Sequence, residues 1–375
     1  MSGDTVLQEH DAQRNPRHLI LSHVDPWLLG LLLLTCAIGL ATLYSATDGS
    51  RSMVIDQAER LVLGVVVMFT IAQIPPEWLR RIAPWLYGFA LLLLVAVIAL
   101  GYHSKGAQRW LVIGPLRFQP AELMKLGMPL AIAAFLHAKT LPPSVWTTLS
   151  SLVIIMVPVG LIAMQPDLGT AVLVLATGLL ALYFGGLRWR WVLAATALIL
   201  AAAPVIWLRL HDYQRERLLT FLNPGRDPLG AGYHITQSKI AIGSGGFWGK
   251  GWLLGTQAKL DFLPEAHTDF IFSVFAEEMG LIGVMVLLTL YLAIVARCMI
   301  IAMRAQDSFQ RILAGSLGMT FFVYVFINVG MVVGLLPVVG VPLPLVSYGG
   351  TSMVSLLAGF GMLMAIHTHR KLLTN

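Results

Sequence analysis

Residues 270–299 read FIFSVFAEEMGLIGVMVLLTLYLAIVARCM, and the 18 positions from Met279 to Ala296 carry no charge. At 1.5 Å of rise per residue a helix over those positions is roughly 27 Å long, close to the hydrocarbon thickness of a bilayer. The stretch therefore predicts a membrane span. Glu277, Glu278 and Arg297 are its charged residues. A charge inside a span is costly and is a functional hypothesis by default.

Nine further apolar runs lie at 27–46, 56–74, 82–101, 121–138, 147–164, 168–186, 189–209, 311–336 and 347–367. The second is the weakest, because Arg60 sits inside it and Pro75-Pro76 end it. The chain is expected to be an all-α integral membrane protein of about ten transmembrane helices, forming a single membrane domain over residues 1–375. Composition agrees. Of 375 residues 57% are hydrophobic and 12% charged, against roughly 25% charged in soluble domains. The net charge of +6 does not call for nucleic acid, since membrane proteins gather Lys and Arg at cytoplasmic loops. Cys36 and Cys298 both fall in apolar runs and offer neither a disulfide framework nor a metal pattern.

Orientation follows from the basic residues of short loops. With the N-terminus inside, 12 Lys and Arg, among them Arg80, Arg81, Arg188, Arg190 and Arg304, fall on the cytoplasmic side. The outer loops hold 5: Arg51, Arg60, Lys105, Arg109 and Arg117. Both termini are then cytosolic, with residues 1–25 as a polar cytoplasmic tail rather than a cleaved signal. Residues 210–268 become a large periplasmic loop. Its aromatic residues, including Trp248 and Trp252, and the Gly-rich apolar stretch Leu229–Gly255 predict a segment packed on the bundle and partly re-entrant.

Four clusters on the outer side carry the chemistry. In the first, Arg109 precedes Gln119-Pro120-Ala121-Glu122, with Lys125 one turn on. Pro120 suits a first helical turn, and Glu122 and Lys125 then share a face. They form either a self-neutralising pair or, with Arg109, an anion site oriented by Glu122. The second cluster, Gln165 to Thr170, centres on Asp167, which either caps a helix or faces the same cavity. The third, Glu265-Ala266-His267-Thr268-Asp269, opens the eighth span. Asp269 either caps the helix or, partly desolvated beside His267, takes a proton from a hydroxyl or holds a metal ion. The fourth, Val341 to Gly350, has two prolines before Ser347 and Tyr348 and two glycines after them, without charge. It reads as non-helical backbone at membrane depth, tolerated only where protein or a water-lined cavity surrounds it. Together these imply an outward cavity for an anionic, lipid-linked substrate. They leave open whether that substrate is moved or reacted.

The runs Lys105–Trp110, Phe118–Glu122, Gln165–Thr170, Gly232–Ser238, Leu263–Phe272 and Leu343–Gly350 resemble the motifs of the SEDS family (shape, elongation, division and sporulation), over essentially the whole chain. His211–Asn223 and Ile240–Gly246 are more similar to its elongation branch, in Gram-negative bacteria, than to its division branch. The resemblance implies a peptidoglycan glycosyltransferase of the bacterial inner membrane that polymerises lipid II, an undecaprenyl-pyrophosphate disaccharide pentapeptide, with its active site facing the periplasm. It implies Asp269 as the essential aspartate and Glu122 with Lys125 as a functional pair. It implies substrate contacts among Arg109, Gln119, Asp167, Gln237, Ser238, His267, Ser347 and Tyr348. It also implies a divalent cation (Mg2+ or Mn2+), a class B penicillin-binding transpeptidase partner and other elongation-complex proteins. The resemblance further implies an alpha donor link and a beta product link, for which one inverting displacement suffices. The main rival is a lipid II flippase or transporter.

Overall fold

The computed structural model describes residues 24–369, leaving out 105–106, 114–115, 261, 264 and most of 192–229. Among the described residues are eleven helices and one small sheet. The helices are α1 (Pro26–Ala46), α2 (Arg51–Ala72), α3 (Pro76–Leu100), α4 (Pro120–His137), α5 (Val145–Met164), α6 (Leu168–Phe184), α7 (Ala231–Gly245), α8 (Thr256–Lys259), α9 (Ile271–Met303), α10 (Ser308–Val332) and α11 (Thr351–Thr368). The seventh expected span, 189–209, falls largely outside the described residues.

Helices α1, α3, α5, α9, α10 and α11 are each long and apolar enough to cross a membrane. Their outward faces are apolar as well: Leu33, Phe89, Met285 and Phe326 are each about half exposed or more. Water would penalise such a surface, whereas lipid matches it. The chain is a multi-pass membrane protein. Helix α4 brings Glu122 and Lys125, and α2 brings Gln57, into the bundle.

Local chemistry sets the helix ends. Asp25 caps α1 by accepting from the Trp27 and Leu28 amides at 3.1 and 3.3 Å, and Pro26 fills the first helical position. Short connections of residues 47–50, 73–75 and 165–167 make consecutive helices antiparallel. As a result the N-termini of α4, α6, α9 and α11 meet at one end of the bundle. At the opposite end Asp25 accepts from Arg297 Nε at 2.7 Å, which ties α1 to α9. Phe309, Phe321, Met124, Met128 and Leu136 fill the interior between α4 and α10.

The structure departs from the sequence reading at several helix starts, in the segment between α3 and α4, and within α9. The second helix begins at Arg51, not 56, and the last at Thr351, not 347. Three strands, β1 (Tyr102–Ser104), β2 (Ala107–Ile113) and β3 (Leu116–Phe118), form an antiparallel sheet, pairing Tyr102 with Trp110 and Leu111 with Phe118. Its signal was the Gly114-Pro115 pair between two short runs. Helix α9 is broken at Gly280, whose φ of 63° and ψ of −166° suit glycine and few other residues. The break frees the carbonyls of Glu277 and Glu278. Lys250 N and Gly251 N take them at 3.0 and 2.9 Å, while Leu281 N donates to Gly246 O at 3.0 Å. The segment after α7 is thus stitched into the break and supplies partners to these freed backbone groups.

Candidate active site

The site is built around residues 334–350, the non-helical stretch between α10 and α11. Pro337, Pro342 and Pro344 deny it a helix. Val341, Leu343, Leu345, Val346 and Ser347 are nevertheless all buried. Helix α1 passes against this stretch at Gly39, where a Cβ would stand 2.6 Å from Leu345 O and 2.7 Å from Val346 Cα.

Buried backbone must find partners, and here they come from the residues leading into α9. Tyr348 N donates to His267 O at 2.9 Å. Ser347 Oγ donates to Thr268 O at 2.6 Å and accepts from Leu343 N at 2.7 Å. Asn328 Nδ2, from α10, donates to Asp269 O at 2.9 Å and to Val341 O at 2.7 Å. Three consecutive carbonyls, 267 to 269, are therefore each held by a named donor. From α2, Gln57 Nε2 donates to Ser347 O, and Gly349 N donates to Gln57 Oε1, both at 3.2 Å. The Arg60 guanidinium lies 4.6 Å above the Tyr348 ring, and the His267 ring meets the same tyrosine edge-on at 6.1 Å.

The facing wall comes from α4, α6 and β2. Lys125 Nζ donates to Glu122 Oε1 at 2.6 Å, and Ser355 Oγ of α11 donates to Glu122 Oε2 at 2.7 Å. Gln119 Nε2 donates to Asp167 Oδ2 at 3.0 Å. Asp167 also caps α6 through Thr170 N at 3.3 Å. Arg109 Nη2 donates to Pro166 O at 2.6 Å, and its Nη1 stands 3.7 Å from Asp167 Oδ1. Asp167 is thus both a cap and a charge partner of the site.

Between these walls lies a cavity of about 270 Å³, bordered by Arg109, Gln119, Glu122, Lys125, Asp167, Asp269 and Tyr348 among others. Asp269 and Lys125 share it. A smaller apolar cavity of about 60 Å³ adjoins it beneath Lys125 and Ser347. The larger one brings two cations, Arg109 and Lys125, and three carboxylates, Glu122, Asp167 and Asp269, to one protein-walled space, where such groups act more strongly than in bulk solvent. That arrangement suits withdrawing a proton on one side while neutralising a departing anion on the other. Among the described residues no three His, Cys, Asp or Glu are grouped to hold a metal ion.

Four residues of the expected contact set, Gln237, Ser238, His267 and Ser347, do not border the larger cavity. Ser238 is fully buried between α7, α9 and α10, sharing a 2.8 Å hydrogen bond with Ser273 and donating to Val332 O at 2.6 Å. Its hydroxyl satisfies helix packing, and neither it nor Gln237 borders the cavity. Ser347 turns its hydroxyl to main-chain groups, and the His267 ring lies against Tyr348, which borders the cavity. Glu277 and Glu278 are engaged away from it: Glu277 by Lys250 Nζ at 2.6 Å and by Thr256 and Gln257 amides, Glu278 by the Ser45 hydroxyl. Sequence reasoning that searched for charge passed over Gln57, Asn328 and Ser355, uncharged polar residues inside apolar runs. Their signal is that a buried amide or hydroxyl needs a stated partner.

Comparison with known proteins gives a consistent set of relatives. Residues 17–372 match the family model for FtsW, RodA and SpoVE, described as cell cycle protein. The chain is 52% identical over 353 residues to the peptidoglycan glycosyltransferase MrdB of Escherichia coli K12, spanning 94% of this chain and 95% of that one. It is 35% identical over 372 residues to the probable peptidoglycan glycosyltransferase FtsW of Pseudoalteromonas atlantica, spanning 96% and 75%. Its fold is similar to a chain solved in a study of structural coordination of polymerization and crosslinking by a peptidoglycan synthase complex, with TM-score 0.81, 35% identity and coverage of 92% and 97%. It is also similar to the crystal structure of the Thermus thermophilus rod shape determining protein RodA, with TM-score 0.71, 32% identity and coverage of 92% and 98%.

Proposed function

Because the chain belongs to the cell cycle protein family of FtsW, RodA and SpoVE, the SEDS family, we propose that it is a peptidoglycan glycosyltransferase of the elongation type. Its identity of 52% to MrdB, against 35% to FtsW, supports the elongation branch. The substrate is lipid II. The chain lies in the bacterial inner membrane with about ten spans and both termini in the cytosol. Its cavity then opens to the periplasm.

The observation that carries the chemistry is the shared cavity of Asp269 and Lys125. The 4-hydroxyl of an acceptor sugar attacks the anomeric carbon of the donor, the carbon–oxygen bond to pyrophosphate breaks, and polyprenyl pyrophosphate leaves. A neutral hydroxyl is a poor nucleophile, and Asp269 takes its proton. Lys125 and Arg109 offset the negative charge gathering on the pyrophosphate. Gln119 and Asp167 hold Arg109 and the start of α6 in register with that task. A divalent cation, Mg2+ or Mn2+, fits this reading only with the substrate as co-ligand, since Mg2+ is ordinarily held by one or two carboxylates and phosphate oxygens. A class B penicillin-binding transpeptidase is the partner, which accords with the synthase complex among the similar structures.

The test is moenomycin-resistant synthesis of glycan strands from lipid II by the purified protein, with and without that transpeptidase. Strand synthesis is the expected result. Lipid II movement across vesicles without polymerisation would replace this reading with that of a flippase.

A further inference from the structure

Helix α9 begins without a side-chain cap: the residue before it, Phe270, offers none. The direction in which Asp269 leaves the main chain is therefore set by what its neighbours' carbonyls receive. The group on Asp269 O is the amide of Asn328, which is fully buried on α10. An amide nitrogen carries two hydrogens, and both are used, on Asp269 O and on Val341 O. Asn328 Oδ1 is buried and accepts from no described residue. A buried acceptor without a donor is unfavourable. An apolar side chain would avoid that loss but forgo both donated bonds. What the position supplies is two donors from one rigid group, aimed at two separate segments.

Those segments are the ones that meet at the Asp269 carboxylate. Gly340, beside Val341, sits so that a Cβ there would lie 3.5 Å from Asp269 Oδ2. We propose that Asn328 is a positioning residue for glycan transfer: it clamps the main chain of Asp269 to that of Val341 and so fixes the carboxylate across the cavity from Lys125. The proposal rests on the reading of Asp269 as the base in lipid II polymerisation.

The experiment compares the full-length wild-type protein with Asn328→Leu and Asn328→Ser, each bound to its transpeptidase partner, using lipid II as substrate. Displacing a reacting group by about 1 Å can cost up to ~100-fold. Asn328→Leu should therefore lower kcat per folded molecule roughly 10- to 100-fold with KM nearly unchanged. Asn328→Ser, which keeps one donor, should fall between. A purely structural role would reduce the folded fraction and leave kcat per folded molecule untouched. That result, or a wild-type kcat in folded Asn328→Leu, overturns the proposal. So does failure of both variants to fold, which would make Asn328 a stability residue. A wild-type protein silent toward lipid II overturns the assignment of function and this proposal with it. An active wild type with an unaffected Asn328→Leu variant overturns the proposal alone.

Discussion

Lys125 Nζ lies 2.6 Å from Glu122 Oε1, one helical turn away, with both side chains about nine-tenths buried. The lysine also faces the Tyr324 ring at 5.2 Å, and the glutamate's second oxygen is taken by Ser355. Removing one member of a buried pair strands the other's charge, at about 3–5 kcal/mol. Lys125→Ala should lose stability of that order in detergent unfolding and lose glycan synthesis. The double variant Lys125→Met with Glu122→Gln should regain most of the stability and none of the turnover. A double variant that polymerises lipid II at the wild-type rate would reduce the pair to a structural one.

Asp269→Asn keeps the side-chain shape and removes the basic oxygen. General base catalysis contributes roughly 10²- to 10⁴-fold, so polymerisation by the purified variant should fall at least that far. Its melting temperature and its binding to the transpeptidase should stay as in the wild type. Full activity would remove Asp269 from the mechanism.

The main outline of the bundle was legible because lipid imposes one rule, long uncharged helices, and runs such as 27–46 and 147–164 obey it without competition. The residues that border the cavity were legible where they carry charge: Arg109, Glu122, Lys125, Asp167 and Asp269 all drew attention as ions in an apolar chain. What a single sequence did not carry is tertiary satisfaction. That Asn328 and Gln57 bond to main chain around the cavity, while Ser238 bonds to Ser273 and to Val332 O, depends on which groups come within hydrogen-bond reach. Hydropathy does not encode that. The sheet of β1, β2 and β3 was missed because its strands are short and lie between two strong helical signals. The break at Gly280 was hidden by an apolar run that continues on both sides of it.

Ser238→Ala separates packing from substrate contact. The hydroxyl makes two buried hydrogen bonds, and an average one is worth about 1 kcal/mol. The variant should melt at a lower temperature while keeping kcat and KM per folded molecule. A rise in KM for lipid II, without loss of stability, would return Ser238 to the substrate site.

Glu277 is fully buried, and its Lys250 partner reaches it from the segment between α7 and α8, where Thr256 and Gln257 amides also donate. Lys250→Met removes one donor to a charged group, a loss of about 1.5–3 kcal/mol. The break at Gly280 makes that loss local, because the same segment supplies the amides that satisfy the interrupted helix. Hydrogen exchange should therefore speed up at Gly246–Gln257 and in α9 on either side of Gly280, with α4 and α10 unchanged. Adding Glu277→Gln should slow it again, since an uncharged amide needs no ammonium and still accepts from Thr256. Acceleration spread evenly over all helices would mean that the Lys250–Glu277 pair supports the bundle as a whole rather than pinning this segment into the broken helix.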